Sequence, residues 1–183
     1  MMKSYLLGID IGTTTISAQL IAADSHKSLQ SYSIEHHACI QIDGFPDAYA
    51  EDADMLISIA TSLIDSLIDA HPNILSIGLT GQMHGVVCLN QHHDCISPLY
   101  SWQNNFGMRS IGTQTITDRI EDLTGEKIPS GYGINTCCAL KQLGILPEGT
   151  SKIATIMDVL AERLCCSEII LTHPTNAASI GLF

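Results

Sequence analysis

The chain has 183 residues, 45% of them hydrophobic, and a formal net charge of −11 with only 8 Lys and Arg. That length holds one sizeable domain with its own core, and that composition excludes a disordered chain. With so few cations there is no basic patch for a nucleic-acid backbone or an anionic membrane, so neither is expected as a partner.

In chain order, Met1-Met2-Lys3-Ser4 carries one charge, and the apolar run behind it is broken by Asp10 and Gly12, which argues against a secretory leader. Leu6 to Ile9 and Thr14 to Ile21 read as two strands joined at a Gly12 turn, the second alternating through Ile16, Ala18 and Leu20. After a turn at Asp24-Ser25-His26-Lys27, Leu29 to Ala38 reads as a third strand, giving an antiparallel meander. Pro46 to Asp52 reads as a polar loop. Asp52 or Asp54 caps the helix that follows, and Leu56, Ile59, Leu63 and Leu67 form its apolar stripe up to Pro72. Ile74 to Leu79 is then a short strand, so a helical crossover separates it from the meander.

Thr80 to Gly85 interrupts the apolar pattern, and Val86 to Leu89 resumes it as a strand. A polar turn from Asn90 leads to Pro98 to Asn105, which holds the only Trp. Ile111 to Leu123 reads as a helix ending at Gly125, Gly131 to Gly133 as a loop, and Thr136 to Leu143 as a helix closed by Gly144. Ile153 to Cys166 reads as a last helix, with an extended alternative at Ala154 to Ile156. No stretch is long enough to span a bilayer. The seven cysteines form an odd count, and the adjacent pairs Cys137-Cys138 and Cys165-Cys166 lack zinc-site spacing, so reduced buried thiols in a cytoplasmic protein are expected.

Three constellations carry chemistry. In Leu6 to Thr15, an apolar strand delivers Asp10 to its end, and Gly12, Thr13 and Thr14 follow. A carboxylate beside a glycine–hydroxyl turn suits a Mg²⁺–phosphate group, with bare N–H groups and hydroxyls meeting phosphate oxygens. The same residues also suit an ordinary hairpin turn. No Walker-type Gly-x-x-x-x-Gly-Lys-Ser/Thr run occurs. In Gly81-Gln82-Met83-His84-Gly85, an amide and an imidazole able to bond hydroxyls flank a thioether able to pack on a carbon skeleton. The bland alternative is a turn with a satisfied His. Trp102 adds an aromatic face beside the amides Gln103, Asn104 and Asn105, a common way to hold a sugar.

These runs, Gly8-Ile9-Asp10-Ile11-Gly12-Thr13-Thr14, then Gly81 to Gly85, then Leu99-Tyr100-Ser101-Trp102-Gln103, resemble the amino-terminal domain of the FGGY carbohydrate kinases, most of all sedoheptulokinases and then xylulokinases. Asp158 to Ala161 and the tail Pro174 to Phe183 are similar to the family as well. The resemblance implies an α/β fold of the ribonuclease-H-like actin/Hsp70 superfamily, a mixed sheet flanked by helices. It implies that residues 1–183 form an incomplete amino-terminal sugar-kinase domain without the carboxy-terminal nucleotide domain. By the same resemblance Asp10 serves Mg²⁺–ATP, and Gly12, Thr13 and Thr14 meet the phosphates. Gln82, Met83, His84 and Trp102 serve a ketose such as sedoheptulose or xylulose. The family's catalytic base falls beyond Phe183, so no catalytic residue is expected within the chain, and this piece alone is expected to be inactive. A non-catalytic sugar-binding or interaction module is the alternative, and an ATPase without a sugar site a third.

Two positions depart from the family. Where related ketose kinases have W-x-D-x-R, this chain has Asn104 and Phe106, neither able to replace its counterpart's charge. The expectation is a different sugar preference or weakened binding; should no ketose bind, restoring Asp and Arg separates that cause from a pocket that needs the missing domain. Asp158, in an apolar helical setting, is expected to make a structural hydrogen bond rather than replace the base. An apolar surface left by the missing half makes a homodimer an expectation too.

Overall fold

A computed structural model describes residues 3–181. Met1 and Met2 of the leader reading, and Leu182 and Phe183 of the tail resemblance, lie outside the described residues.

The chain opens as β1 (Tyr5–Ile11), β2 (Thr15–Ala22) and β3 (Ser28–Glu35), the expected antiparallel meander. Then come β4 (Cys39–Ile42), β5 (Phe45–Glu51), the helix α1 (Ala53–Ala70) and β6 (Ile74–Gly81). β6 lies parallel to β1, so the main sheet is mixed, in the order β3-β2-β1-β6. Alternation decides its faces. Leu7, Ile9 and Ile11 of β1 and Ile16, Ala18 and Leu20 of β2 are buried. All but Leu20 pack in one core with Leu56, Ala60, Leu63, Ile64 and Leu67 of α1. Each large aliphatic chain buried there contributes roughly 1.5–3 kcal/mol. Gly8, Asp10, Ser17 and Ser33 line the opposite face, so Asp10 reaches the sheet's end on the side away from α1. Along β6, Leu75 is 62% exposed, and the edge is an open apolar groove running to Ala161, Leu164 and Cys165.

The second half is built from β7 (Val87–Leu89), β8 (Leu99–Tyr100), a 3₁₀ turn (Phe106–Met108), β9 (Ser110–Ile111), β10 (Gln114–Thr115), α2 (Ile116–Thr124), α3 (Gly133–Gln142), β11 (Lys152–Ala154), α4 (Ile156–Cys165) and α5 (Pro174–Ser179). Its core gathers Val86, Cys88, Tyr100, Phe106, Ile116, Ile120, Ala139, Leu140 and Ile180. Val87 and Leu89 belong to the first core. The strand segment Val86 to Leu89 therefore serves one core with each face, and the residues just before it sit at their junction.

Four sequence expectations are corrected. Pro46 to Asp52 is mostly strand, because Ala50 and Glu51 pair with Tyr100 and Leu99 and with Ile40 and Cys39, partners remote in sequence. Leu29 to Ala38 ends as a strand at Glu35. The His36 amide donates to the Thr14 carbonyl, and Ala38 then receives the Asp52 amide as the chain starts a separate sheet. Ile111 to Leu123 begins as a hairpin, and the helix starts only at Ile116, where Thr115 and Asp118 form a capping box. Lys152 to Ala154 is extended against β7, and a second capping box, Thr155 with Asp158, starts α4. Asp52 is the cap of α1, accepting from the Met55 amide at 2.9 Å.

Candidate functional site

The site forms where the carboxyl ends of the parallel pair β1 and β6 meet the loop after β8. The Gly12 amide donates to the Thr15 carbonyl at 2.9 Å, closing a tight turn. The turn is held from behind by His36. Its Nδ1 accepts from the Ala38 amide at 3.4 Å, so Nε2 carries the proton and donates to the Gly12 carbonyl at 3.1 Å. Asp10 is exposed, and its Oδ2 lies 3.7 Å from where a Cβ on Gly12 would stand, directly over the bare turn. Among the described residues no group of three or more His, Cys, Asp or Glu is arranged to hold a metal. A single carboxylate beside a glycine–hydroxyl turn still fits Mg²⁺, which commonly takes one protein carboxylate, phosphate oxygens and water.

The second constellation runs on from the end of β6, and the Gln82 amide N–H donates to the Ile11 carbonyl at 2.8 Å, tying it to the end of β1. Gln82 is 8% exposed, and its Nε2 donates a short hydrogen bond to Oε2 of Glu51, which is 4% exposed on β5. Burial pushes the Glu51 carboxyl above its ordinary value, while the Gln82 bond and nearby His36 pull it back. Gln82 Oε1 is buried without a hydrogen-bond partner among the described residues. An acceptor left so costs about 1–3 kcal/mol.

Met83 is 55% exposed, free to present its thioether. His84 adopts φ 72°, a left-handed backbone that costs a non-glycine residue roughly 1–3 kcal/mol and concentrates at functional sites. Two contacts hold it there. Its ring stacks on Tyr132 at 4.1 Å and 18°, and Nδ1 makes a short bond to the Ser179 carbonyl at the end of α5. A carbonyl only accepts, so Nδ1 carries the proton, and Nε2 of the neutral ring is an acceptor.

Trp102 is half exposed, and its indole Nε1 donates to Thr13 Oγ1 at 3.3 Å, tying the aromatic loop to the glycine turn. The loop is fixed from below by Asn104, which is 1% exposed. Asn104 Oδ1 accepts from the Tyr49 amide at 3.0 Å, while Nδ2 donates to the Tyr49 and Ser101 carbonyls. Gly131 allows a second segment to lie against the loop, since a Cβ there would stand 2.1 Å from the Trp102 carbonyl oxygen. Phe106 is in the core, edge-on to Phe45, with the Arg109 guanidinium 5.2 Å above its ring.

The structure thus gathers Asp10, Gly12, Thr13, Gln82, His84 and Trp102 around one strand end, with Thr14 in the same turn. Asn104 and Phe106 serve the scaffold. Asp158 does as well: its carboxylate accepts from the Thr155 amide, Thr172 and Asn176. Sequence reading missed Glu51, His36, Tyr132 and Ser179. For Tyr132 the signal was present, an aromatic ring between two glycines; the other three show their roles only through long-range contacts.

The family model for the FGGY family of carbohydrate kinases, N-terminal domain, matches residues 5–181. A xylulose kinase of Staphylococcus xylosus is 25% identical over 145 residues, 78% of this chain and 26% of that protein. Among solved structures, a gluconate kinase from Lactobacillus acidophilus superposes with a TM-score of 0.80 at 21% identity, covering 98% of this chain and 36% of its own. A ligand-bound xylulose kinase from the same organism does so with 0.79 at 21%, covering 97% and 36%. The chain spans about a quarter of the length of the curated relatives it matches. With its mixed sheet flanked by helices on the actin/Hsp70-like plan and a family match along nearly its whole length, the chain belongs to the FGGY family of carbohydrate kinases.

Proposed function

We propose that residues 1–183 form the sugar-side part of an ATP-dependent ketose kinase, an incomplete amino-terminal domain whose nucleotide domain lies elsewhere. One observation carries this reading. The acceptor His84 Nε2, the exposed Met83 and the half-exposed Trp102, whose indole is tied to the phosphate-type turn through Thr13, stand at one strand end. Acceptors of this kind receive sugar hydroxyls, Met83 and the Trp102 and Tyr132 rings offer apolar surface to a carbon chain, and the Gly12 to Thr14 turn meets phosphate oxygens. Asp10 would hold Mg²⁺, which neutralises charge on the transferring phosphoryl group when bound. The substrate class is a ketopentose or ketoheptose of the xylulose or sedoheptulose type. In the intact enzyme one of its hydroxyls attacks the γ-phosphate of ATP, with the proton taken by a base beyond Phe183. Phosphoryl transfer depends on positioning and charge stabilisation by both walls of a cleft, so this chain alone has no appreciable turnover.

A second reading is a non-catalytic sugar-binding module, favoured by the buried, scaffold-bound state of Asn104 and Phe106 where relatives place charge. Unpaired thiols at all seven cysteines accord with a cytoplasmic setting, and the apolar β6 groove with a homodimer. No helix among the described residues is long and apolar enough to cross a membrane. Calorimetric titration of the chain with xylulose and sedoheptulose, with and without Mg²⁺–ATP, tests the proposal. Saturable binding of one ketose is expected. Silence with both overturns it, and steady ATP- and sugar-dependent turnover overturns the inactivity of the piece.

A further inference from the structure

We propose that His36 is a positioning residue for phosphate binding: its ring N–H holds the Gly12 carbonyl and so turns the Thr13 amide outward, toward the phosphate that the Gly12 to Thr14 turn receives. The inference rests on the kinase reading above, in which that turn meets phosphate oxygens, and gives a role to a residue outside the three motifs.

His36 is 7% exposed, so its ring is part of the scaffold under the turn rather than of the surface. It grips the turn at two points. Its backbone amide donates to the Thr14 carbonyl at 3.0 Å, and its ring Nε2 donates to the Gly12 carbonyl at 3.1 Å. The roles of the two ring nitrogens are fixed, because the Ala38 amide at 3.4 Å needs an acceptor at Nδ1 and leaves the proton on Nε2. A trans peptide carries its C=O and N–H on opposite edges of one plane. Anchoring the Gly12 carbonyl to the buried ring therefore aims the Thr13 N–H the opposite way. Among the described residues no acceptor takes the Thr13 or the Thr14 amide. Thr14 is exposed, and Gly12 and Thr13 are partly so. The Thr13 hydroxyl adds a donor, since its oxygen accepts from the Trp102 indole and its own proton is left for another acceptor. Bare donors on an open turn, with the exposed Asp10 carboxylate beside them for a cation, suit the oxygens of a metal-bound phosphoanhydride. Gly12 has no Cβ to resist rotation of the peptide that follows it. Without the His36 bond that peptide is free to flip, and a carbonyl oxygen, which repels phosphate, would replace the Thr13 N–H.

The test separates the two ring bonds. In His36→Gln the amide nitrogen falls where Nε2 stood and still donates to Gly12. In His36→Asn the side-chain oxygen can take the Ala38 amide, but nothing reaches Gly12. Mg²⁺–ATP is titrated into the isotope-labelled full chain while NMR follows the Thr13 and Thr14 amides, with Tm and ketose affinity measured alongside. Saturable shifts of both amides are expected in the parent. The Kd for Mg²⁺–ATP is expected to stay within about twofold in His36→Gln and to rise about tenfold in His36→Asn, the weight of one hydrogen bond, with ketose affinity unchanged in both. Unchanged Mg²⁺–ATP affinity in His36→Asn overturns the proposal and leaves the kinase reading intact. An equal loss in both variants that tracks a fall in Tm overturns it too, because the histidine is then merely structural. A parent chain whose Thr13 and Thr14 signals ignore Mg²⁺–ATP overturns the phosphate reading of the turn instead. The ring is decided without ligand: imidazole nitrogen NMR showing the proton on Nδ1 rather than Nε2 overturns the role of His36 whatever the titrations give.

Discussion

Replacing Asn104 with Asp restores the residue found in W-x-D-x-R kinases, and the structure predicts that it damages this chain. Asn104 is buried, and its Nδ2 donates to two carbonyls, those of Tyr49 and Ser101. An aspartate keeps the bond from the Tyr49 amide, but its second oxygen faces those carbonyls with no proton to give. Two hydrogen bonds are lost, two carbonyls lose that donor, and a charge is placed in a dry site. Combining about 1–3 kcal/mol for each bond lost, Asn104→Asp destabilises by about 3–5 kcal/mol. For a chain of this size that lowers Tm by roughly 6–20 °C. The new carboxyl is relieved by protonation, so its folded-state pKa is raised, and the deficit is smallest below the ordinary aspartate value and grows as pH rises. Thermal unfolding at pH 5 and pH 8 reads both effects, and the fluorescence of Trp102, the single Trp, reports the loop directly. A Tm within about 2 °C of the parent at both pH values would refute the reasoning.

Other outcomes follow from the same geometry. Removing the imidazole in His84→Ala should weaken ketose binding at least about tenfold, since the acceptor and its stacking partner on Tyr132 are both lost; an unchanged titration would remove His84 from the sugar site. Thr13→Val deletes the acceptor for the Trp102 indole and should shift the Trp emission while leaving Tm nearly unchanged. Glu51 is held more protonated in the fold than in the unfolded chain, so its contribution is full below about 4.5 and is lost as pH rises through its raised value. Urea unfolding from pH 4 to 7 should accordingly show Glu51→Gln gaining on the parent with rising pH, and parallel curves would contradict the assignment. Burial pushes Cys137 to about 12 and Cys95 to about 11, whereas Cys39, Cys165 and Cys166 are exposed. Iodoacetamide at neutral pH should therefore label the exposed three first by mass spectrometry, because only the thiolate attacks; early labelling of Cys137 would show that its environment is wrongly placed.

Much of the site could be read from the residues alone. The alternation of β1 and β2, the Gly12 turn, the stripe of α1 and its Asp52 cap are local features, each written within a few neighbouring residues. So were the three motifs, and the structure brings them to one strand end. What sequence could not carry was pairing at a distance. The strand at Phe45–Glu51 exists because β4 and β8 flank it, and only that pairing brings Glu51 to Gln82. Asn104 looked like a lost charge and is instead a clamp, since its three partners belong to Tyr49 and Ser101. The tautomer of His84 was undecided until Ser179, near the far end of the chain, placed a carbonyl against Nδ1. Periodicity and turn chemistry act over a few residues and were determined by the sequence itself. The donor and acceptor character of the site depends on which remote groups face each side chain, and that only the tertiary structure decided.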